Sequence, residues 1–367
     1  MSETVAPELL AGYERPARWA GLEIIDSDVQ AVVPGLVALR PYLEHRWRDY
    51  LTESGVSALD PAQYPKGSPL SVRPDLATEG PGPATSVDLL RQQLLDPWET
   101  RFAVLNCGLD VPAIHNDDWA AAMSRGVNEW LRAEWLAEEP RLRGSIVVPA
   151  QNPELAAAEI DRVGSDPRFV QVLLPVRSES PLGKRRYWPI YDAAQRNGLA
   201  IGIYPGGASG NPITPAGWPS YYLEDYVGFA QAFQGTLLSL VSEGVFSKFP
   251  ELRVVLLESG FSWLGPLLWR FDKNWKGLRR EVPWVDRLPS DIIRNRVHIT
   301  TQPLDLPDDA GEVDQLFEQF DAAKMLLFAT DYPHWQFDRG DQALPAGLTG
   351  DLERRILGVN AHDAYQF

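Results

Sequence analysis

Acids and a phenol fall where short apolar runs of this chain end. Asp26-Ser27-Asp28 closes the run Leu22–Ile25, with Gln30 two residues on. Tyr204 closes Leu199–Tyr204, Glu258 follows Arg253–Leu257, and Asp331 follows Met325–Thr330, with His334 three residues further. Such runs read as buried strands, and side chains at the carboxyl ends of strands can converge although distant in sequence. Carboxylates and a phenol gathered in that way can hold a cation or move protons. An acid after a strand is also a common helix N-cap, and Asp331 in Thr330-Asp331-Tyr332-Pro333 suits that role. Acids at several strand ends are harder to explain by capping, so one shared site is the expectation.

The elements that must position these residues alternate along the chain. Beyond the four runs above, Phe102–Asn106, Ser145–Val148, Phe169–Leu174 and Val297–Thr301 are strand-like, the last leading into Gln302. Helical spacing lies between most of them. Asp117 or Asp118 caps a helix bearing Met123, Val127, Trp130 and Leu131. Asn152-Pro153 places an N-cap before proline, ahead of Ala156, Ile160 and Val163. Pro189 opens a helix that ends near Gly198. Phe229, Phe233, Leu237, Leu240 and Val241 form one stripe, and Val313, Leu316, Phe317 and Phe320 another. Eight strands with intervening helices are the sequence form of a (β/α)₈ barrel, an α/β TIM barrel. A doubly wound open sheet is the competing architecture, but no G-x-G-x-x-G follows the first strand. Residues 1–20 read as a polar arm and 21–367 as the barrel domain. Within it 52–98, rich in Pro, Gly and Ser, reads as a long loop insertion after the first strand.

Composition bounds the rest. The chain has 367 residues, with 34 Lys+Arg against 50 Asp+Glu for a net charge of −16. An acidic chain repels a phosphate backbone, which argues against nucleic-acid partners. Apolar runs fall far short of the ~20 residues that cross a bilayer, and no secretory leader pattern opens the sequence, so a cytoplasmic protein without membrane partners is expected. One cysteine, Cys107, excludes an internal disulfide and a Cys-rich zinc site. Without a histidine near it in sequence, it makes a poor nucleophile.

Other residues compete for the pocket. Trp218, Tyr221, Tyr222 and Tyr226 crowd the segment after the fifth strand, and Trp335 follows the eighth. Trp218, Tyr222 and Trp335 are candidates for a wall that favours a planar apolar substrate. His298 alternates with Thr300 in the seventh strand and is a further candidate for the lining. Trp269 and Trp275 read as core packing or a subunit contact. His45, His115 and His362 read as surface residues. Gly206-Gly207-Ala208-Ser209-Gly210 lacks the Lys-Ser/Thr of a phosphate loop and reads as a flexible turn, with the composition of a lid hinge.

Four stretches carry a family resemblance. They are Ile25-Asp26-Ser27-Asp28-Val29-Gln30; Tyr187-Trp188-Pro189-Ile190-Tyr191-Asp192-Ala193-Ala194; Gly244 to Arg253 continuing through Glu258-Ser259-Gly260 and Trp263; and Ala329-Thr330-Asp331-Tyr332-Pro333-His334. In order and spacing the chain resembles the amidohydrolase-2 branch of the amidohydrolase superfamily, the branch of the aminocarboxymuconate-semialdehyde and hydroxybenzoate decarboxylases. The resemblance implies a metal held by His-x-His or acid-x-His at the first strand, His at the fifth and Asp at the eighth. These positions fall on Asp28 and Gln30, on Tyr204, and on Asp331. Gln30 and Tyr204 stand where histidine is usual, and Glu258 stands where the sixth strand often carries a catalytic histidine. The remaining donors are oxygens, which suit a hard divalent cation better than zinc. His334 belongs to the matching motif, and the family implies a homodimer.

The expected function is therefore cleavage of a small, aromatic or polyketide-like acid, by decarboxylation or hydrolysis. Asp331 serves as acid/base, with Glu258, Tyr204 and His334 beside it. The cofactor is either none or one divalent cation on Asp28, Gln30 and Asp331. The alternatives are a metal-independent lyase, cyclase or isomerase, and an inactive small-molecule binding protein.

Overall fold

A computed structural model describes residues 15–56, 59, 72, 76, 82–207, 214, 216–334, 343–345 and 347–367. Eight strands form one sheet in chain order, every neighbouring pair parallel. They are β1 (Ile25–Gln30), β2 (Phe102–Asn106), β3 (Leu142–Val147), β4 (Phe169–Pro175), β5 (Ala200–Tyr204), β6 (Val254–Leu256), β7 (Val297–Thr300) and β8 (Leu326–Leu327). The sheet closes where Ser27 N donates to Phe328 O (2.9 Å), Gln30 N to Tyr332 O (2.8 Å) and Asp331 N to Asp28 O (3.0 Å). This is the expected (β/α)₈ barrel. Ile25, Val104, Leu173, Val255, Leu257 and Leu327 pack together in one buried cluster, while Val29, Leu105, Leu174, Leu256 and Ile299 belong to the larger cluster that includes the helices.

The helices of eight or more residues are α1 (His45–Ser54), α2 (Asp117–Leu131), α3 (Pro153–Val163), α4 (Trp188–Arg196), α5 (Tyr222–Ser242), α6 (Leu264–Leu278), α7 (Pro289–Arg296) and α8 (Ala310–Phe320). Asn152 caps α3, accepting from Leu155 N at 3.3 Å. The cap of α2 is Asn116, which accepts from Trp119 N at 3.0 Å, rather than either aspartate after it. Asp117 and Asp118 instead lie in the first turn, where their charge suits the helix dipole.

Other expectations change on folding. β1 contains its acids instead of ending before them. Asp26 pairs with Ala103 but Val29 with Leu105, so β1 carries one more residue than β2 there. Residues 87–95, expected in a long loop, form the helical turns Val87–Leu90 and Arg91–Leu95, because Leu90, Leu94 and Leu95 share a buried face. The end of the expected polar arm is packed. Trp19 is buried against Trp98 and Phe328, and its Nε1 donates to Glu353 Oε1 at 3.0 Å. Trp269 is 54% exposed and so is not core. No described helix is long and apolar enough to cross a membrane.

Glu139 ties the 87–95 segment to the barrel. Its carboxylate accepts from Arg91 Nε (2.8 Å) and from Arg141 Nε and Nη2 (both 2.9 Å). Hydrogen bonds from Arg141, and then Arg91, outweigh its burial and hold its pKa at about 2, below the ordinary 4.5. A depressed folded value stabilises the fold fully above about 4.5 and loses that contribution as pH falls toward 2. Glu139→Gln is expected to lower the unfolding free energy at pH 7 by about 1–3 kcal/mol, with a smaller gap at pH 3. Urea unfolding at both pH values checks this, and an equal gap would contradict it.

Candidate functional site

The seam between β1 and the chain after β8 builds the site. The backbone bond from Asp331 to Asp28 and that from Gln30 to Tyr332 bring three polar side chains together across the closure. Gln30 Nε2 lies 3.3 Å from Asp28 Oδ1, 3.3 Å from Asp331 Oδ1 and 3.5 Å from Glu258 Oε1. One amide thus sits among three carboxylates contributed by β1, the turn after β6 and the segment after β8. His334 Nδ1 lies 2.7 Å from Asp331 Oδ1, and its backbone N–H donates to Asp331 O at 2.8 Å.

A polar chain across the neighbouring strands fixes Asp28. Asn106 Nδ2, at the end of β2, donates to Asp28 Oδ1 at 2.7 Å. Asn106 Oδ1 in turn accepts from Ser145 Oγ (2.6 Å) and Gln171 Nε2 (2.9 Å), which reach it from β3 and β4. Asp26 accepts from Thr330 Oγ1 at 2.6 Å and from Thr330 N at 3.1 Å, fastening β1 to the segment after β8 as well.

Glu258 is held by its backbone. Thr300 Oγ1 accepts from Glu258 N at 3.0 Å, and Asp305 gathers the next turn. Its Oδ1 accepts from Phe261 N at 2.9 Å and its Oδ2 from Ser262 Oγ at 2.6 Å. A Cβ on Gly260 (φ +61°) would come within 2.7 Å of Asp305 Oδ2, so only glycine allows this approach. Glu258 and Asp331 both take left-handed backbone angles, φ 52° and 53°. Non-glycine residues hold that conformation at a cost of about 1–3 kcal/mol, which neighbouring structure must offset.

Burial governs the electrostatics. It pushes the Asp28 carboxyl well above the ordinary aspartate range, reinforced by the charge of Asp331. Glu258 is raised by burial and then by Asp331 and Asp28. Asp331 is also raised by burial, partly opposed by its bond from Gln30. Asp26 is pushed up to about 7 for the same reason. Carboxylates so placed are stable only when protonated or faced by a cation.

The donor set fits a hard cation. Glu258, Asp331 and His334 each present one ligand atom, all within 4.8 Å of one another. Asp28 Oδ2 and Asp331 Oδ2 are buried without a hydrogen-bond partner, as expected of oxygens that face an ion or a substrate. Gln30 can add a carbonyl oxygen if its amide turns over. Tyr204 fits less well. Burial, with Asp110, Cys107 and Glu258 nearby, raises its phenol well above the ordinary range, so it stays protonated and acts as a donor.

The structure gathers Asp28, Gln30, Glu258, Asp331 and His334, with Tyr204 near Glu258. It places His298 elsewhere. The ring of His298 bonds the Lys324 backbone and feels Arg253 and Lys324, residues that precede β6 and β8, so it lies at the amino ends of the strands. Two residues of strand separate it from Thr300, which is enough to move it a layer down the barrel. Trp218 and Tyr222 are 57% and 39% exposed at the outer rim. Trp335 lies outside the described residues. Cys107 is buried, its thiol pushed up to about 12 by desolvation, and is inert.

Strand-end reading passes over Asn106 and Tyr226. The Tyr226 phenol, on α5, is raised by burial and then by the charges of Glu258 and Asp331. Its signal in the sequence is spacing: Tyr222 and Tyr226 stand one helical turn apart, with ring centroids 5.7 Å from each other.

Comparison with known proteins gives a consistent result. Residues 34–367 match the amidohydrolase family model Amidohydro_2. A gamma-resorcylate decarboxylase of Polaromonas sp. (strain JS666) is 26% identical over 290 residues, covering 73% of this chain and 87% of the relative. The 5-carboxyvanillate decarboxylase of Sphingomonas paucimobilis superposes with a TM-score of 0.70 at 19% identity, covering 95% of this chain and 100% of its own. A dihydroxybenzoic acid decarboxylase of Polaromonas sp. JS666, solved with bound manganese and the inhibitor 2-nitroresorcinol, gives 0.65 at 20% identity over 94% of this chain and 97% of its own.

Asp305→Ala is expected to free the turn that carries Glu258 and to weaken Mn²⁺ binding roughly tenfold or more, the range for loss of a residue that orients a ligand. Calorimetric titration with Mn²⁺ reads this directly. Unchanged affinity would show that Glu258 keeps its place, or its irrelevance, without Asp305.

Proposed function

Because the chain belongs to the amidohydrolase family, we propose that it is a carboxy-lyase that removes CO₂ from a small aromatic acid with the help of one hard divalent cation. The observation that carries this reading is the convergence of Asp28, Glu258 and Asp331 on one Gln30 amide. The decarboxylases among its relatives, and the manganese bound to one of them, support the same conclusion. Glu258, Asp331 and His334, with Asp28 beside them, would hold the ion. When bound, it would neutralise these acids and draw charge from the substrate oxygens.

The protein's own groups account for the rest. His334 bonds Asp331 Oδ1 and sets the orientation of that carboxyl, leaving Oδ2 without a partner. Asp331 Oδ2 is the atom that gives a proton to the ring carbon bearing the carboxylate. The bond to that carboxylate then breaks, its electron pair returns to the ring, and CO₂ leaves. Solvent returns a proton to Asp331. The Tyr204 and Tyr226 phenols, both kept protonated by burial, donate hydrogen bonds to oxygens on the ring. The rim aromatics Trp218 and Tyr222 help exclude water, and the exposed Trp269 supports a homodimer. The acidic balance of the chain supports an enzyme of small molecules without nucleic-acid or anionic-membrane partners.

A second reading, acid/base catalysis by a metal-independent lyase, cyclase or isomerase, is favoured by one feature. The Gln30 N–H₂ group already bridges the carboxylates where an ion would sit. Release of CO₂ from hydroxybenzoates, with 2,6-dihydroxybenzoate as the first probe, separates the two. Activity that falls to background in EDTA and returns with Mn²⁺ is expected, with at least a ~100-fold loss in Asp331→Asn. Full turnover in EDTA supports the second reading, and unchanged turnover in Asp331→Asn contradicts both.

A further inference from the structure

Arg177 lies two residues past the end of β4, and the proposed reaction does not use it. The carboxyl ends of the strands surround the barrel mouth, and past β4 the chain stays at that end, with Val176 N donating to Tyr204 O at 2.9 Å. The Arg177 side chain is only 10% exposed. Its Nη2 donates to Asp225 Oδ1 at 2.6 Å, and its guanidinium carbon stands 3.8 Å from the centroid of the Phe229 ring. Its backbone is clamped as well. Arg177 N donates to Gly206 O at 3.0 Å, and a Cβ on Gly207 (φ +72°) would fall 1.9 Å from Arg177 O. A guanidinium held on one edge and one face is rigid, and its Nε is left buried with no hydrogen-bond partner.

The partners of Arg177 point to what it faces. Asp225 and Phe229 are one turn apart on α5 and meet the same guanidinium. Tyr226, between them in sequence, feels the charges of Glu258 and Asp331. The first turns of α5 therefore hold a fixed cation through Asp225 and Phe229 and carry, between those two residues, a phenol that senses the carboxylates. A buried N–H without a partner costs about 1–3 kcal/mol, unless a ligand satisfies it. The leaving carboxylate loses its charge as CO₂ forms, so a cation holding it would favour the ground state over the transition state. A fixed arginine is useful instead to a group that keeps its charge throughout.

We propose that Arg177, oriented by Asp225 and Phe229, anchors a second anionic oxygen group of the substrate, a carboxylate or phenolate on a ring carbon other than the one that bears the leaving carboxylate. The substrate class is then an aromatic acid with a further acidic substituent. This rests on the aromatic-acid reading above, but its test is equilibrium binding and is independent of turnover.

Isophthalate and benzoate, titrated calorimetrically into the full chain, are the probes. The wild-type protein is expected to bind the diacid about tenfold or more tightly than the monoacid. Arg177→Met is expected to abolish that preference while leaving benzoate within about twofold of its wild-type affinity. Arg177→Lys keeps a charge for Asp225 but has no Nε–H, so it should fold normally by thermal melting and still lose most of the preference. No preference in the wild-type protein, or a preference that survives in a folded Arg177→Lys, overturns the proposal. Equal weakening of both acids in Arg177→Met overturns it too, since that is the result of a purely structural ion pair. Failure of the aromatic-acid reading appears separately, as absence of CO₂ release with the diacid preference intact.

Discussion

Three carboxylates crowded together at one end of a barrel, two of them buried and Glu258 half-buried, form the constraint on which this structure depends. Each is raised by burial, and Asp28 and Glu258 are raised further by the charge of Asp331. Ionised together without a counter-charge they would oppose folding, because burying like charges costs more than any neutral hydrogen bond returns. The Gln30 amide offers two N–H groups to three acceptors at 3.3–3.5 Å, which is partial compensation at best. A cation or protons must supply the rest, and either one makes the site reactive.

The surrounding structure serves to hold that arrangement. Closure of the sheet through backbone bonds between β1 and residues 328–332 sets Asp28, Gln30 and Asp331 side by side. Asn106, Ser145 and Gln171 lock Asp28 from the neighbouring strands, while Thr300 and Asp305 hold the turn that carries Glu258. Two of the acids stand in left-handed backbone conformations, and strain of that kind is found where a scaffold fixes a side chain for chemistry. The family relation adds a contrast. At the positions where the resemblance implies histidine, Gln30 supplies an amide and Tyr204 a protonated phenol, so a cation held here would meet oxygen donors and His334.

Much of this was legible in the sequence because strand ends in a barrel are a local signal with a global meaning. The apolar runs ending at Tyr204, Leu257 and Thr330 each mark a strand and its mouth residue. What local pattern could not show is depth and direction. His298 shares a strand with Thr300 and has its parity, yet stands a layer lower, beside Arg253 and Lys324. Residues 87–95 lie in a Pro- and Gly-rich region that disguises a buried helical face, and the aspartates after Asn116 hide which residue accepts the capping bond. Arg177 gains its place only through its contacts with Asp225 and Phe229 of α5, which nothing in its own segment announces.

The central claim is that Asp28, Glu258 and Asp331 share one cation with His334. Crystals grown with Mn²⁺ and measured at the manganese absorption edge test it most directly. The account predicts one anomalous peak per chain at coordination distance from Glu258, Asp331 and His334, absent from crystals of Asp331→Asn. A peak bound elsewhere, or none with those side chains ordered as described, would contradict it.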